Sequence, residues 1–246
     1  MPPARRYEPR KSRLPVLLVA FGGAALVAAL LIGASLIGGG GGDSAEPAAA
    51  PVPADVTPHE EGILNGIPQD GIALGKPDAP VTLVEYADLQ CPYCADWARD
   101  AFPAIVDEYV RDGRVRLEFR GLAFLGPESE TALRAALAAG EQDRLWNVVH
   151  GLFVSQGAEN AGWVTEALLH SLGRGAGIDA ERMLADSDSA SVDRALAEAA
   201  AQARAVGVPG TPFFEAGPTG GPLTPLQVRS LDAETFRAAL DGLLAQ

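Results

Sequence analysis

The sequence predicts an α/β fold: a strand–helix–strand unit, interrupted by an inserted all-helical subdomain, resumed near the C-terminus, and preceded by one N-terminal transmembrane helix. Three observations carry this. Val16 to Ile37 is a stretch of 22 residues without a formal charge. Val81 to Tyr86 is a short β-branched and apolar run, followed first by helical spacing and then by alternation. Between Glu128 and about Ala205 the apolar residues recur only at helical spacing.

The charge-free stretch is long enough to cross the hydrocarbon of a bilayer. Arg5, Arg6, Arg10, Lys11 and Arg13 precede it, and a basic flank of this kind stays cytoplasmic. Residues 1–13 therefore read as a cytoplasmic segment and 14–37 as a single-pass membrane helix, with the rest of the chain extracytoplasmic. A cleaved signal peptide is the competing reading. Against it, the apolar run exceeds a usual signal core, and no clean small-x-small cleavage site follows at once. Gly38 to Gly42 and the proline-alanine stretch up to Pro53 cannot bury an apolar face, so 38–61 reads as a tether. Folding proper begins near Gly62. The 185 residues from there suffice for one domain with a sizeable core, or a small domain carrying an insertion.

Beyond residue 13 the chain has 14 basic and 31 acidic side chains, a formal charge of −17. Such a surface argues against nucleic acid and against adhesion to anionic lipid; it serves solubility.

The elements follow in order. Val81 to Tyr86 is a buried strand. Cys94 to Arg111 has helical spacing through Trp97, Ala98, Ala101, Phe102, Ile105, Val106 and Tyr109, with a kink at Pro103, whose ring removes a backbone donor. Val115, Leu117 and Phe119 alternate with charged residues as a second strand. Five helices make up the insertion: Glu128 to Ala139, Glu141 to Ser155, Trp163 to Leu172, Asp179 to Asp186 and Ser191 to Val206. Trp146, His150, Phe153 and Trp163 fall within it and read as packing rather than as a cofactor box. Pro212 to Glu215 returns to strand character, and Asp232 to Leu244 closes the chain as an amphipathic helix. The stretch from Ala216 to Pro225 is too rich in breakers to locate a final strand.

Cys91 and Cys94, in the sequence Cys91-Pro92-Tyr93-Cys94, are the only cysteines in the chain, so they either bond to each other, remain thiols, or alternate between the two states. If Cys91 caps a helix and Pro92 takes its first position, Cys94 follows about one turn later on the same side. Amide donors at the helix terminus and the positive end of its dipole stabilise a thiolate on Cys91, making it nucleophile and leaving group. Cys94 sits deeper and resolves a mixed disulfide. The plain alternatives are two core cysteines or half of a metal site. Zinc wants four ligands, and His59, His150 and His170 lie far away without ligand spacing. No metal or other cofactor is expected. Glu85 is charged within an apolar strand; it is either buried, which disfavours its ionised form, or turned outward against an arginine.

Three stretches carry a family resemblance: Asp78 through Cys94, then Phe119-Arg120, then Gly207-Val208-Pro209-Gly210-Thr211-Pro212-Phe213-Phe214. Together they resemble the DsbA family of thioredoxin-fold disulfide oxidoreductases, especially its membrane-anchored bacterial members, over about residues 70 to 246. The resemblance implies a thioredoxin-like fold in two parts, 62–126 and 207–246, around a helical insertion at 127–206, with the active site at their junction. It also implies a cis proline at Pro212 facing the cysteines, with the Thr211 backbone pairing to an extended substrate segment. Pro209 is the rival for the cis position. Glu85 matches the family's carboxylate below the disulfide, a proton partner for Cys94. Pro92 and Tyr93 tune the site, and Tyr93 is an exposed aromatic near substrate.

The implied activity is thiol-disulfide exchange, in the favoured direction introducing disulfides into exported cysteine-containing proteins. A quinone-linked membrane partner of the DsbB or vitamin K epoxide reductase type would reoxidise the pair. The strongly oxidising members place Pro-His between the cysteines where this chain has Pro-Tyr, so the motif leaves direction open. The same site could run as a reductase or isomerase, or the fold could serve as a non-catalytic holdase or scaffold.

Overall fold

The computed structural model describes residues 62–246. They begin with a single 3-10 turn, Gly62–Leu64, and a tight hairpin of strands β1 (Gln69–Asp70) and β2 (Ala73–Leu74). Gly71 turns the hairpin with φ 55, a left-handed conformation that glycine adopts without a Cβ clash. Strand β3 (Val81–Asp88) follows, buried along its whole length, then the helical stretch after the cysteines, then β4 (Val115–Leu122). That second strand buries alternate residues, as its sequence pattern requires.

The helical stretch is not continuous. It forms α1 (Pro92–Asp100), a one-turn α2 (Phe102–Ile105) and a π-helical turn, Val106–Val110. The break falls at Ala101, ahead of Pro103, which has no amide to give to the preceding turn. The predicted kink is therefore a real interruption.

Five helices come next: α3 (Pro127–Gly140), α4 (Leu145–Val154), α5 (Glu166–Gly175), α6 (Ala180–Asp186) and α7 (Ala190–Val206). Two starts differ from the pattern reading. Helix α4 begins at Leu145 instead of Glu141 because Asp143 adopts φ 56 and turns the chain. Helix α5 begins after Trp163, at the point where the Thr165 hydroxyl accepts the Leu168 amide at 3.1 Å. Asp179 and Ser189 cap α6 and α7 in the same way, and Gly207, with φ 76, ends α7.

Strand β5 (Phe213–Pro218), the short edge strand β6 (Thr224–Pro225) and α8 (Ala233–Leu244) complete the described chain. The breaker-rich stretch thus contains both the end of β5 and a final strand. Sheet order is β1-β2-β4-β3-β5-β6, with β3 parallel to β4 and antiparallel to β5.

One face of β3 presents Val84 and Tyr86 to Ala203 and Val206 of α7. The other face carries Leu83, Glu85 and Ala87 toward an aromatic core. Trp97 of α1 lies 5.1 Å from Phe214 and 5.8 Å from Phe236 of α8, while Phe102 stacks on Trp146 of the insertion at 5.5 Å. Each such side chain contributes about 1.5–3 kcal/mol by leaving water. The insertion and the sheet therefore share one core. Among the described residues no helix is long and apolar enough to cross a membrane; the predicted span 14–37, with its basic flank and tether, lies outside them.

Candidate active site

Strand β3 ends at Asp88, and a two-residue turn delivers Cys91 to the N-cap of α1. The Cys91 amide donates to the Asp88 carbonyl at 2.9 Å, and its carbonyl accepts the Ala95 amide at 3.2 Å. Pro92 takes the first helical position, where its missing donor costs nothing. Cys94 comes one turn later with none of its surface exposed, while Cys91 keeps 5%. Both are free thiols.

The two sulfurs differ sharply in acidity. The Cys94 thiol hydrogen-bonds to the Cys91 sulfur and, against partial burial, lowers the Cys91 pKa to about 6, aided by the Thr211 side chain and by the amides of Cys94 and Tyr93. Those amides close no full capping bond to the neutral thiol; they act by favouring the ionised sulfur. Burial, the bond to Cys91 and the nearby Glu85 charge push Cys94 far up. One thiol is readily ionised and its neighbour holds its proton.

The loop before β5 closes the site. The Thr211–Pro212 peptide is cis, and the Cys91 thiol donates to the Thr211 carbonyl at 3.4 Å. Pro209 is trans. Glu85 lies within β3 between Phe119 of β4 and Phe214 of β5, with 1% of its surface exposed. Burial, followed by the Cys91 charge, raises its pKa well above the ordinary carboxylate range. The outward-facing alternative is excluded. Tyr93 is 64% exposed beside the cysteines, so Cys91, Cys94, Pro92, Tyr93, Thr211, Pro212 and Glu85 all gather at this junction.

Several residues that hold the site escaped the sequence reading. The buried Asp88 carboxylate accepts the amides of Gln90 at 2.9 Å, Phe124 at 2.9 Å and Leu125 at 3.1 Å. This anchors an exposed aromatic, Phe124, to the same turn. Gln90 donates to Ser129 and Asn160 and accepts the Asn160 amide at 2.6 Å. Gln156 donates to the carbonyls of Leu89 and Cys91. The helical insertion thus clamps the redox turn with side-chain amides. Asp88 and Gln90 stand in the stretch that carried the resemblance, but Gln156 and Asn160 have no local signature.

A single mixed sheet whose central strand feeds a helix capped by the first cysteine of a CxxC, opposite a cis proline, defines a thiol-disulfide oxidoreductase of thioredoxin fold. A family model described as thioredoxin matches residues 68–238. The chain belongs to the thioredoxin family that this model describes. A Bacillus anthracis protein named probable disulfide bond formation protein D is 31% identical over 144 residues, 57% of this chain and 66% of that protein. The alignment therefore leaves about a third of that relative unmatched. Among solved structures, oxidised BdbD from Bacillus subtilis superposes with a TM-score of 0.62 at 24% identity, covering 73% of this chain and 98% of that one. Wolbachia pipientis alpha-DsbA1 gives 0.60 at 19% identity, covering 71% and 90%. These two likenesses concern the fold.

Proposed function

We propose that this protein is a membrane-anchored, extracytoplasmic oxidase that introduces disulfides into exported proteins through Cys91 and Cys94. The observation that carries the direction is the unequal acidity of the pair: a Cys91 thiolate already stabilised at pKa about 6 favours the reduced state of the site, which makes the oxidised state a good acceptor of electrons. The name of the Bacillus relative, a disulfide bond formation protein, agrees with this.

The cycle begins with the Cys91–Cys94 disulfide. A substrate thiolate attacks the Cys91 sulfur, the bond to Cys94 breaks, and Cys94 leaves with the electron pair and takes a proton from the neutral Glu85 carboxyl. A second substrate thiolate then attacks the substrate sulfur of the mixed disulfide. Cys91 leaves as a thiolate, and the substrate dithiol has lost two electrons to the pair. Thr211 offers its backbone to an extended substrate segment in the manner of an added strand, and Tyr93 flanks it. A quinone-linked membrane partner of the DsbB or vitamin K epoxide reductase type takes the electrons onward. The charge-free span 14–37 and its basic flank support anchoring with the N-terminus cytoplasmic.

Rapid thiol trapping in intact cells tests the direction. The expected result is Cys91 and Cys94 mostly oxidised at steady state; a mostly reduced pair would make the protein a reductase. Cys91→Ser abolishes turnover and Cys94→Ser accumulates mixed disulfides, whereas a holdase would keep its activity in Cys91→Ser.

A further inference from the structure

Behind the redox pair, on the Glu85 face of β3, lies a small cavity walled by the rings of Phe102 and Trp146 and by Glu85, Trp97 and His150. Its volume is about 10 Å³ measured to the centre of a water-sized sphere, the smallest space that holds one water. Three of its lining side chains have polar atoms without a hydrogen-bond partner among the described residues: both carboxyl oxygens of Glu85, Nε1 of Trp97 and Nδ1 of His150. All three residues are more than nine-tenths buried, at 1%, 1% and 7% exposure. Buried polar groups are rarely left so, and three around one void are the ordinary surroundings of an internal water.

We propose that a single water held here by Trp97 and His150 completes a proton path from solvent, through the His150 ring, to Glu85 and so to the Cys94 sulfur. The inference rests on the exchange reaction above, in which Glu85 protonates the departing Cys94. The indole Nε1–H of Trp97 and the Nδ1–H of His150 donate to the water oxygen, and the water donates to an oxygen of the Glu85 carboxyl. When Glu85 has given its proton to Cys94, the water passes it another and takes one from Nδ1 of His150. The ring regains a proton at Nε2 from solvent, to which His150 keeps its residual exposure. No net charge is left inside, and the reverse sequence removes the proton when the disulfide forms again.

His150 suits a relay that stays neutral at rest. Burial, followed by the charge of Arg99, lowers its pKa to about 4. The ionisable groups about it are Arg99 on α1, whose guanidinium donates to the Phe153 carbonyl at 2.6 Å, and Glu85 on β3, which lines the same cavity. A neutral imidazole passes a proton by accepting at one nitrogen while releasing from the other. Trp97 orients the water and is a positioning residue.

The test mixes the oxidised full-length protein with glutathione and follows release of the Cys94 thiol by rapid alkylation. His150→Gln keeps hydrogen-bonding capacity but cannot exchange tautomers, so it slows release by about tenfold while leaving the melting temperature unchanged. His150→Ala slows it likewise, and added imidazole restores the rate. In Trp97→Phe the infrared carboxyl band of Glu85 shifts toward that of a carboxyl without a water partner. Wild-type rates in His150→Gln, failure of imidazole to rescue His150→Ala, or an unmoved carboxyl band in Trp97→Phe would each overturn the relay. Retained exchange in Cys91→Ser would instead remove the reaction on which it rests, so the two failures are distinguishable.

Discussion

Replacing Cys94 with alanine in the reduced protein removes the largest influence that holds the Cys91 thiol near a pKa of 6. A hydrogen bond to a charged acceptor is worth about 1.5–3 kcal/mol, which at about 1.4 kcal/mol per pKa unit is a rise of one to two units. The Thr211 side chain and the amides of residues 93 and 94 remain, so the thiol settles at about 7–8, short of the free-cysteine value near 8.5. At neutral pH the thiolate fraction falls from about nine-tenths to between about one-half and one-tenth. Cys91 is then the only thiol in the chain, so the ultraviolet absorbance of the thiolate and the pH dependence of iodoacetamide alkylation both report it without ambiguity. A Cys94→Ala midpoint that stays near 6 would refute the assignment of the largest influence to Cys94. A wild-type midpoint at the free-cysteine value would refute the activated site altogether.

The lowered Cys91 pKa also links redox state to pH. A group whose folded pKa lies below its unfolded value stabilises the fold above the unfolded pKa and loses that contribution as pH falls through the folded one. The melting temperature of the reduced form should therefore rise relative to the oxidised form between about pH 6 and 8, the interval between the folded Cys91 value and that of free cysteine. A difference that is flat over this range would contradict it. Glu85 has the opposite sign: its raised pKa makes its contribution fullest below about pH 4.3 and lost as pH rises toward the folded value. Glu85→Gln should stabilise the protein at pH 7, because it removes a carboxyl that burial holds away from its ionised form, and should slow release of Cys94. Chemical denaturation with parallel exchange kinetics checks both. Asp88→Ala leaves three amides without their acceptor and should cost about 3 kcal/mol in urea unfolding, while Asp88→Asn, which keeps one acceptor oxygen, should cost less.

What the chain reveals before folding depends on how local each signal is. Strand β3 is legible because its run from Val81 to Tyr86 is β-branched and apolar save for Thr82 and one carboxylate, Glu85, and the cysteine pair because its spacing matches one helical turn. Helices α5 to α8 start where a side-chain oxygen can cap them, at Thr165, Asp179, Ser189 and Asp232. The hairpin β1–β2 is invisible to periodicity, since two residues have no period; it exists because Ala73 and Leu74 pair with Glu118 and Leu117 more than forty positions away. The start of α4 is hidden for a related reason: Glu141 to Asp143 have helix-compatible composition, yet Asp143 turns left-handed. At the site, Thr211 and Pro212 were recognisable only through the family pattern. The clamp made by Gln90, Gln156 and Asn160 joins positions about seventy residues apart and leaves no trace in any window. His150 read correctly as packed, but nothing in its neighbours in sequence indicates that one ring nitrogen would face a polar void.

Contact between Cys91 and Thr211 spans 120 positions of chain. During synthesis the cysteines emerge long before their far partner, with only the near partner, Cys94, and the start of the helix to favour ionisation. Part of the acidity is thus deferred until residue 211 arrives and β5 docks beside β3. A half-made molecule carries a milder thiol than a finished one, which limits stray bonding with its own passing neighbours.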